Sequence, residues 1–256
     1  MGIGQSIKKG FGLVAKSMNI VLVLFLVGFV WNLVSIYLQP KGNQEAVSPA
    51  TTAMILTAAA FFILFSVFIQ AGSIGYARDK MKQGSATLQN FVSSGGKYYL
   101  PIFVIGLIVA LIVILFVLLG SLIYAALAAK MAVLATSIVV FLAVIGIYIL
   151  ILFFLAPYIA IVDNKGPIVS IKQSIGLVRK NLLRLLGLAV LLVIIGFAIG
   201  VILGAVLAGI SFALKQTAIQ QVVFAFLSSF VNALLGLFVT GSFMAFYLGL
   251  ENKNIE

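Results

Sequence analysis

The sequence has no cysteine and no histidine among its 256 residues, and only five carboxylates. The commonest metal ligands, the thiol nucleophile and the neutral-pH acid–base group are therefore missing, and no disulfide framework can form. The five acids, Glu45, Asp79, Asp163, Glu251 and Glu256, share no short motif. The Gly-rich phosphate loop, the dinucleotide fingerprint and the GxSxG nucleophile elbow are also lacking. The expectation is a non-enzymatic protein with no cofactor and no metal. Charge is scarce as well, at 8% of residues, against about 25% in an average soluble domain. Such a chain cannot solvate its own surface, which excludes the soluble, nucleic-acid-binding and disordered classes.

What is present is apolar: 64% of the positions, with a mean hydropathy of +1.30. The charges divide the chain into six neutral intervals, 17–40, 46–77, 98–129, 131–162, 185–214 and 216–250. They run from 24 to 35 residues. About 20 apolar residues at 1.5 Å each cross a bilayer once, and two passes need about 40 plus a turn. Each interval thus predicts one span, and the fold class is all-α, a polytopic membrane protein with six transmembrane helices in a single domain over 1–256. The basic run before the first span resembles a signal peptide, but Gln39-Pro40-Lys41-Gly42-Asn43 offers no small-x-small cleavage site, and the segment reads as a helix.

Basic residues set the orientation. The side holding the amino terminus carries 13 Lys and Arg, and the other side carries only Lys41, Lys130 and Lys215. By the positive-inside rule both termini are cytoplasmic, which predicts a multi-pass protein of the cell membrane.

A repeat appears when Ser6, Thr87 and Ser170 are placed in one column. Ser6-Ile7-Lys8, Gly12-Leu13-Val14 and Lys16 then match Ser170-Ile171-Lys172, Gly176-Leu177-Val178 and Lys180, seven identities in eleven columns. The middle unit keeps Thr87-Leu88, Val92 and Lys97. The spacing predicts three tandem units, about 2–80, 84–164 and 167–250, each a cytoplasmic amphipathic elbow helix followed by a hairpin of two spans. Ile168, Ile171, Ile175, Val178 and Leu182 form an apolar face in the third elbow, and Ile3, Ile7, Phe11 and Val14 form one in the first. These faces are expected in the interface, with Lys8, Lys9, Lys16, Lys97, Lys172, Arg179, Lys180 and Arg184 toward anionic lipid headgroups.

The segment after span four, Ala156-Pro157-Tyr158-Ile159-Ala160-Ile161-Val162-Asp163, with Ile171, Ser174, Val178 and Asn181 following, resembles poorly characterised six-helix prokaryotic membrane families. They include the membrane domain fused to some glycerophosphodiester phosphodiesterases. The resemblance implies the six-helix layout. The catalytic domain of those fusions is absent here, so it implies no hydrolytic activity.

Gly196, Gly200, Gly204 and Ala208 recur every fourth residue in span five, a helix-packing pattern for a neighbouring span or a second copy in a homo-oligomer. Ser229, Asn232, Gly236 and Thr240 make a polar stripe on span six, read either as the lining of a solute pathway or as interhelical hydrogen bonding. No span interior holds a charged residue, which argues against ion-coupled pumping. Asp79 and Asp163, each just after an even span, are expected to pair with neighbouring bases or cap a turn. Trp31, Tyr37, Tyr98, Tyr99, Tyr158 and Tyr247 read as interfacial anchors. The leading expectation is a passive pore or transport module for small solutes or ions. The alternatives are a lipid-interacting module or an accessory subunit of another membrane protein. Membrane lipids are the expected partners, and nucleic acid is not.

Overall fold

The computed structural model describes residues 2–38, 48–214 and 218–251. Lys41, Lys215 and Lys253 of the charge count lie outside them. Among the described residues the chain is all-helical: α1 (Ile3–Ala15), α2 (Met18–Leu38), α3 (Pro49–Gln83), α4 (Leu88–Phe153), α5 (Ala156–Val162), α6 (Pro167–Leu214) and α7 (Ala218–Glu251). Five helical stretches are long and apolar enough to cross a membrane. An apolar backbone in lipid must satisfy every N–H and C=O internally, and the helix does so within one segment.

Local chemistry sets the helix ends. Ser48 caps α3 by accepting from the Thr51 backbone N–H at 3.2 Å, with Pro49 at the first helical position. Gly84 closes α3 in the left-handed region, at φ 75°, which only glycine enters without a Cβ penalty. Thr87 and Asn90 cap α4 reciprocally: the Thr87 N–H donates to Asn90 Oδ1 at 2.9 Å, and the Asn90 N–H donates to Thr87 Oγ at 3.3 Å.

Two helices contain a break. At Met131 (φ −144°, ψ 57°) the backbone of α4 leaves the helical region. A Cβ built on Gly120 lies 3.8 Å from Val139, and one on Gly146 lies 3.5 Å from Phe116. Thirty residues of straight helix would put Phe116 and Gly146 about 45 Å apart. The halves of α4 on either side of Met131 therefore run antiparallel as a hairpin. In α6 the break falls at Asn181 (φ −126°, ψ 22°), and between α1 and α2 it falls at Ser17. Ser17 and Asn181 share one column of the repeat alignment. In the middle unit that column holds Tyr98, and α4 runs through it unbroken, so the middle elbow is continuous with its span. Asn competes with the helix by local hydrogen bonding, and Asn181 Nδ2 donates back to the Leu177 carbonyl at 3.1 Å, whereas the buried Ser17 hydroxyl has no hydrogen-bond partner among the described residues. Tyr has no such alternative.

The chain forms two compact units, one of Met1–Gly96 with Leu183–Glu256 and the other of Lys97–Leu182. Within the first, α1 docks on the end of α7. A Cβ on Gly10 would collide with Ser242 Oγ, and one on Gly241 would lie 2.7 Å from Leu13 Cδ2. In the same unit the start of α4 docks on the end of α3, where a Cβ on Gly72 would lie 2.7 Å from the Phe91 ring. Within the second unit, Ser174 Oγ of α6 donates to the Leu152 carbonyl of α4 at 2.7 Å. Gly10, Phe91 and Ser174 occupy one repeat column. Because each of these segments packs against a span other than the one it leads into, the compact units divide after the second and third elbows rather than before them.

The elbows dock on the protein largely through small residues, a face that the sequence reading did not assign. In α1 the buried residues are Ser6, Gly10 and Leu13, and Ile3, Ile7 and Val14 are only partly covered. In the third elbow Ser170 and Ser174 are buried along with Ile171 and Val178. Small residues permit close helix approach in lipid. Their hydroxyls are satisfied locally: Ser6 Oγ donates to the Gly2 carbonyl at 3.3 Å and Ser170 Oγ to the Gly166 carbonyl at 2.9 Å.

Candidate functional site

The residues with the most unspent chemistry in this chain are its lysines. Lys8 and Lys9 of α1 and Lys16 at its C-cap, with Gln5, Gly12 and Leu13, form one wall of a cleft of about 650 Å³. The end of α3 forms the other through Lys80, Met81 and Gly84. Four cations thus border one cavity, and among the described residues no acid lines it.

The described carboxylates are engaged elsewhere. Asp79 is buried, accepting from Arg78 Nε at 2.7 Å and from Asn90 Nδ2 at 3.4 Å. Asp163 pairs with Lys165 Nζ at 3.1 Å and accepts from Gln173 Nε2 at 3.3 Å. Glu251 faces Lys82 at 3.7 Å. Asn90 and Gln173 occupy one repeat column, so an elbow amide clasps the preceding aspartate in both places. Both aspartates make the local pairing expected of them. Among the described residues no ion pair reaches Lys8, Lys9, Lys16 or Lys80. Positive charge with no described counter-charge beside it attracts anions.

Sequence alone gives Lys80 a part in orientation and none in a site, because its neighbours in the cleft lie about 70 residues away along the chain. Lys97 lies over the Tyr98 ring at 5.0 Å. Lys172, Arg179, Lys180 and Arg184 are exposed along α6.

The polar stripe of α7 is not one surface. Ser229 is buried, accepting from Asn32 Nδ2 of α2 at 2.7 Å and donating to the Ala225 carbonyl at 2.5 Å. Asn232 and Gly236 are exposed, and Thr240 is half-buried. In the glycine pattern of α6, a Cβ on Gly196, Gly200 or Gly204 meets no described atom within 4 Å, and Ala208 is exposed. Three of the aromatic residues read as interfacial anchors are instead buried: Tyr98, Tyr158 and Tyr247. A ring with a polar tip fits a protein interior wherever its hydroxyl finds a partner. Trp31 stacks on Phe62 at 3.9 Å. Tyr37 is exposed.

Long apolar helices and an all-helical fold define the class: a helical membrane protein. Within that class the chain belongs to a family described as a domain of unknown function, DUF7847, whose model matches residues 1–250. Comparison with curated proteins and with solved structures finds no match.

Proposed function

We propose that the chain is a non-enzymatic membrane module that holds anionic lipid headgroups at its cytoplasmic face. The observation that carries this reading is the cleft between α1 and α3, where Lys8, Lys9, Lys16 and Lys80 converge with no described carboxylate among its lining residues. With α4 read as two crossings on either side of Met131, six crossings leave both termini and all three elbows on one side, and the 13 to 3 division of basic residues supports reading that side as cytoplasmic. The cleft then opens at the level of the inner leaflet, where a basic residue near an anionic surface contributes about 1 kcal/mol. The elbows' partly covered apolar faces rest on acyl chains. The resemblance to the membrane domain of phosphodiesterase fusions accords with this layout and adds no chemistry to it.

The test is lipid retention. Protein purified in mild detergent from native membranes is extracted and its phospholipid quantified, alongside a variant with Lys8, Lys9, Lys16 and Lys80 all changed to Gln. The expected result is a loss of most copurified anionic lipid. Equal lipid content in the two proteins overturns the reading.

A second reading, a passive pathway for small solutes, draws on Asn232 and Gly236, polar or small positions left exposed on α7. It predicts solute flux through reconstituted protein that Asn232→Leu with Thr240→Val reduces. Flux equal to that of empty vesicles rejects it.

A further inference from the structure

The lysines of the cleft are spaced, not clustered. Lys8 and Lys9 stand at one end of a face of α1 and Lys16 at the other, separated by about 10–12 Å of helical rise. Between them is Gly12, with no side chain, and a Cβ built there meets no described atom within 4 Å. Lys80 faces this row from α3. The third elbow repeats the arrangement: Lys172, Gly176 and Lys180 keep the four-residue spacing, and Gly176 is equally open. There the column of Lys9 holds Gln173, which is engaged with Asp163 and Lys165, so the first elbow has the fuller set of cations.

We propose that the cleft selects a lipid headgroup bearing two separated phosphates, which straddles Gly12 with one phosphate at Lys8 and Lys9 and the other at Lys16, Lys80 closing over it from α3. This rests on the reading of the cleft as an anionic-lipid site. Two ammonium groups held about two turns apart are neutralised in place by two anions. A single phosphate has to draw both side chains over Gly12, which brings like charges together and immobilises two flexible side chains. A zwitterionic headgroup gains little, since among the described residues no carboxylate lines the cleft to receive its ammonium. The glycine is what lets a bridged headgroup lie against the helix.

The experiment uses full-length protein reconstituted into phosphatidylcholine vesicles. They contain either diphosphatidylglycerol or phosphatidylglycerol at double the mole fraction, so that total negative charge is matched. Lipid retained after re-extraction is counted per protein by mass spectrometry. Retention of the two-phosphate lipid is expected to exceed that of the one-phosphate lipid about tenfold. Gly12→Leu, which changes no charge and suits a helix, should reduce that preference to less than about twofold. Lys16→Gln should do the same, and Lys82→Gln, whose lysine pairs with Glu251 outside the cleft, should leave it intact. Excess inorganic phosphate should not displace the lipid, and displacement would assign the site to free phosphate and overturn the proposal. Equal retention of both lipids overturns the two-phosphate selectivity while leaving the anionic-lipid reading standing. Retention of neither overturns both.

Discussion

Glycine has opposite consequences at two places in this chain. At Gly10 an added Cβ would strike Ser242 Oγ and lie 2.9 Å from the Phe238 carbonyl, so the helix of α1 or α7 must shift. At Gly200 it would meet no described atom within 4 Å. Gly10→Leu should therefore destabilise the fold by about 1–3 kcal/mol, the usual cost of overpacking. Gly200→Leu should change it by less than about 0.5 kcal/mol. Thermal unfolding in one detergent compares the two, and equal shifts would contradict the docking of α1 on α7. Ser229→Ala removes the acceptor of Asn32, at a cost of about 0.6 kcal/mol and at most about 1.7. The sequence displays both glycines and the Ser229 stripe. It does not display which neighbour each meets, because Asn32 and Ser229 are 197 residues apart. The lysine row of α1 was legible for the same reason in reverse, since its charges lie on one short helix. Lys80 was not, because only the fold brings α3 beside α1.

Among the elements, the break residues carry most of the topology. Each of the five described stretches long enough to cross a membrane overlaps a charge-free interval, the third taking in two of them, since Asp, Lys and Arg are costly in lipid and end apolar runs. The reversal at Met131 follows Lys130 directly, the lone cation in a long neutral stretch. The docked face of the elbows was less visible. Apolar periodicity marked Ile3, Ile7, Phe11 and Val14 for the acyl chains and left the protein-facing side, built of Ser6, Gly10 and Leu13, unassigned. Small residues carry no hydropathy signal, so the identity of Ser6 with Ser170 was the available clue. The hairpin of α4 is directly testable because the chain has no native cysteine. Cysteines placed at Gly120 and Val139 should form a disulfide or a short bifunctional cross-link within one chain. A pair at Gly120 and Leu152 should not. The reverse outcome would mean that α4 does not fold back at Met131.

At the scale of the whole molecule, the proposed reading turns the basic residues toward the cytoplasmic face of the membrane. Binding at that face is electrostatic, so retention of anionic lipid should fall as ionic strength rises from about 0.1 M to 1 M, where the screening length shrinks from about 10 Å to 3 Å. Retention unchanged by salt would point instead to the apolar faces. All of this depends on which side of the membrane each turn occupies. The decisive measurement is labelling of single cysteines in intact cells with a membrane-impermeant thiol reagent, at Gly84 after α3, at Met131 in α4 and at Gly166 before α6. Met131→Cys should react from outside, and Gly84→Cys and Gly166→Cys only after the membrane is opened. If Met131→Cys and Gly84→Cys react from the same side, the α4 hairpin does not cross the membrane twice. The elbows then do not share a face, and the account of the cleft as an inner-leaflet lipid site fails with them.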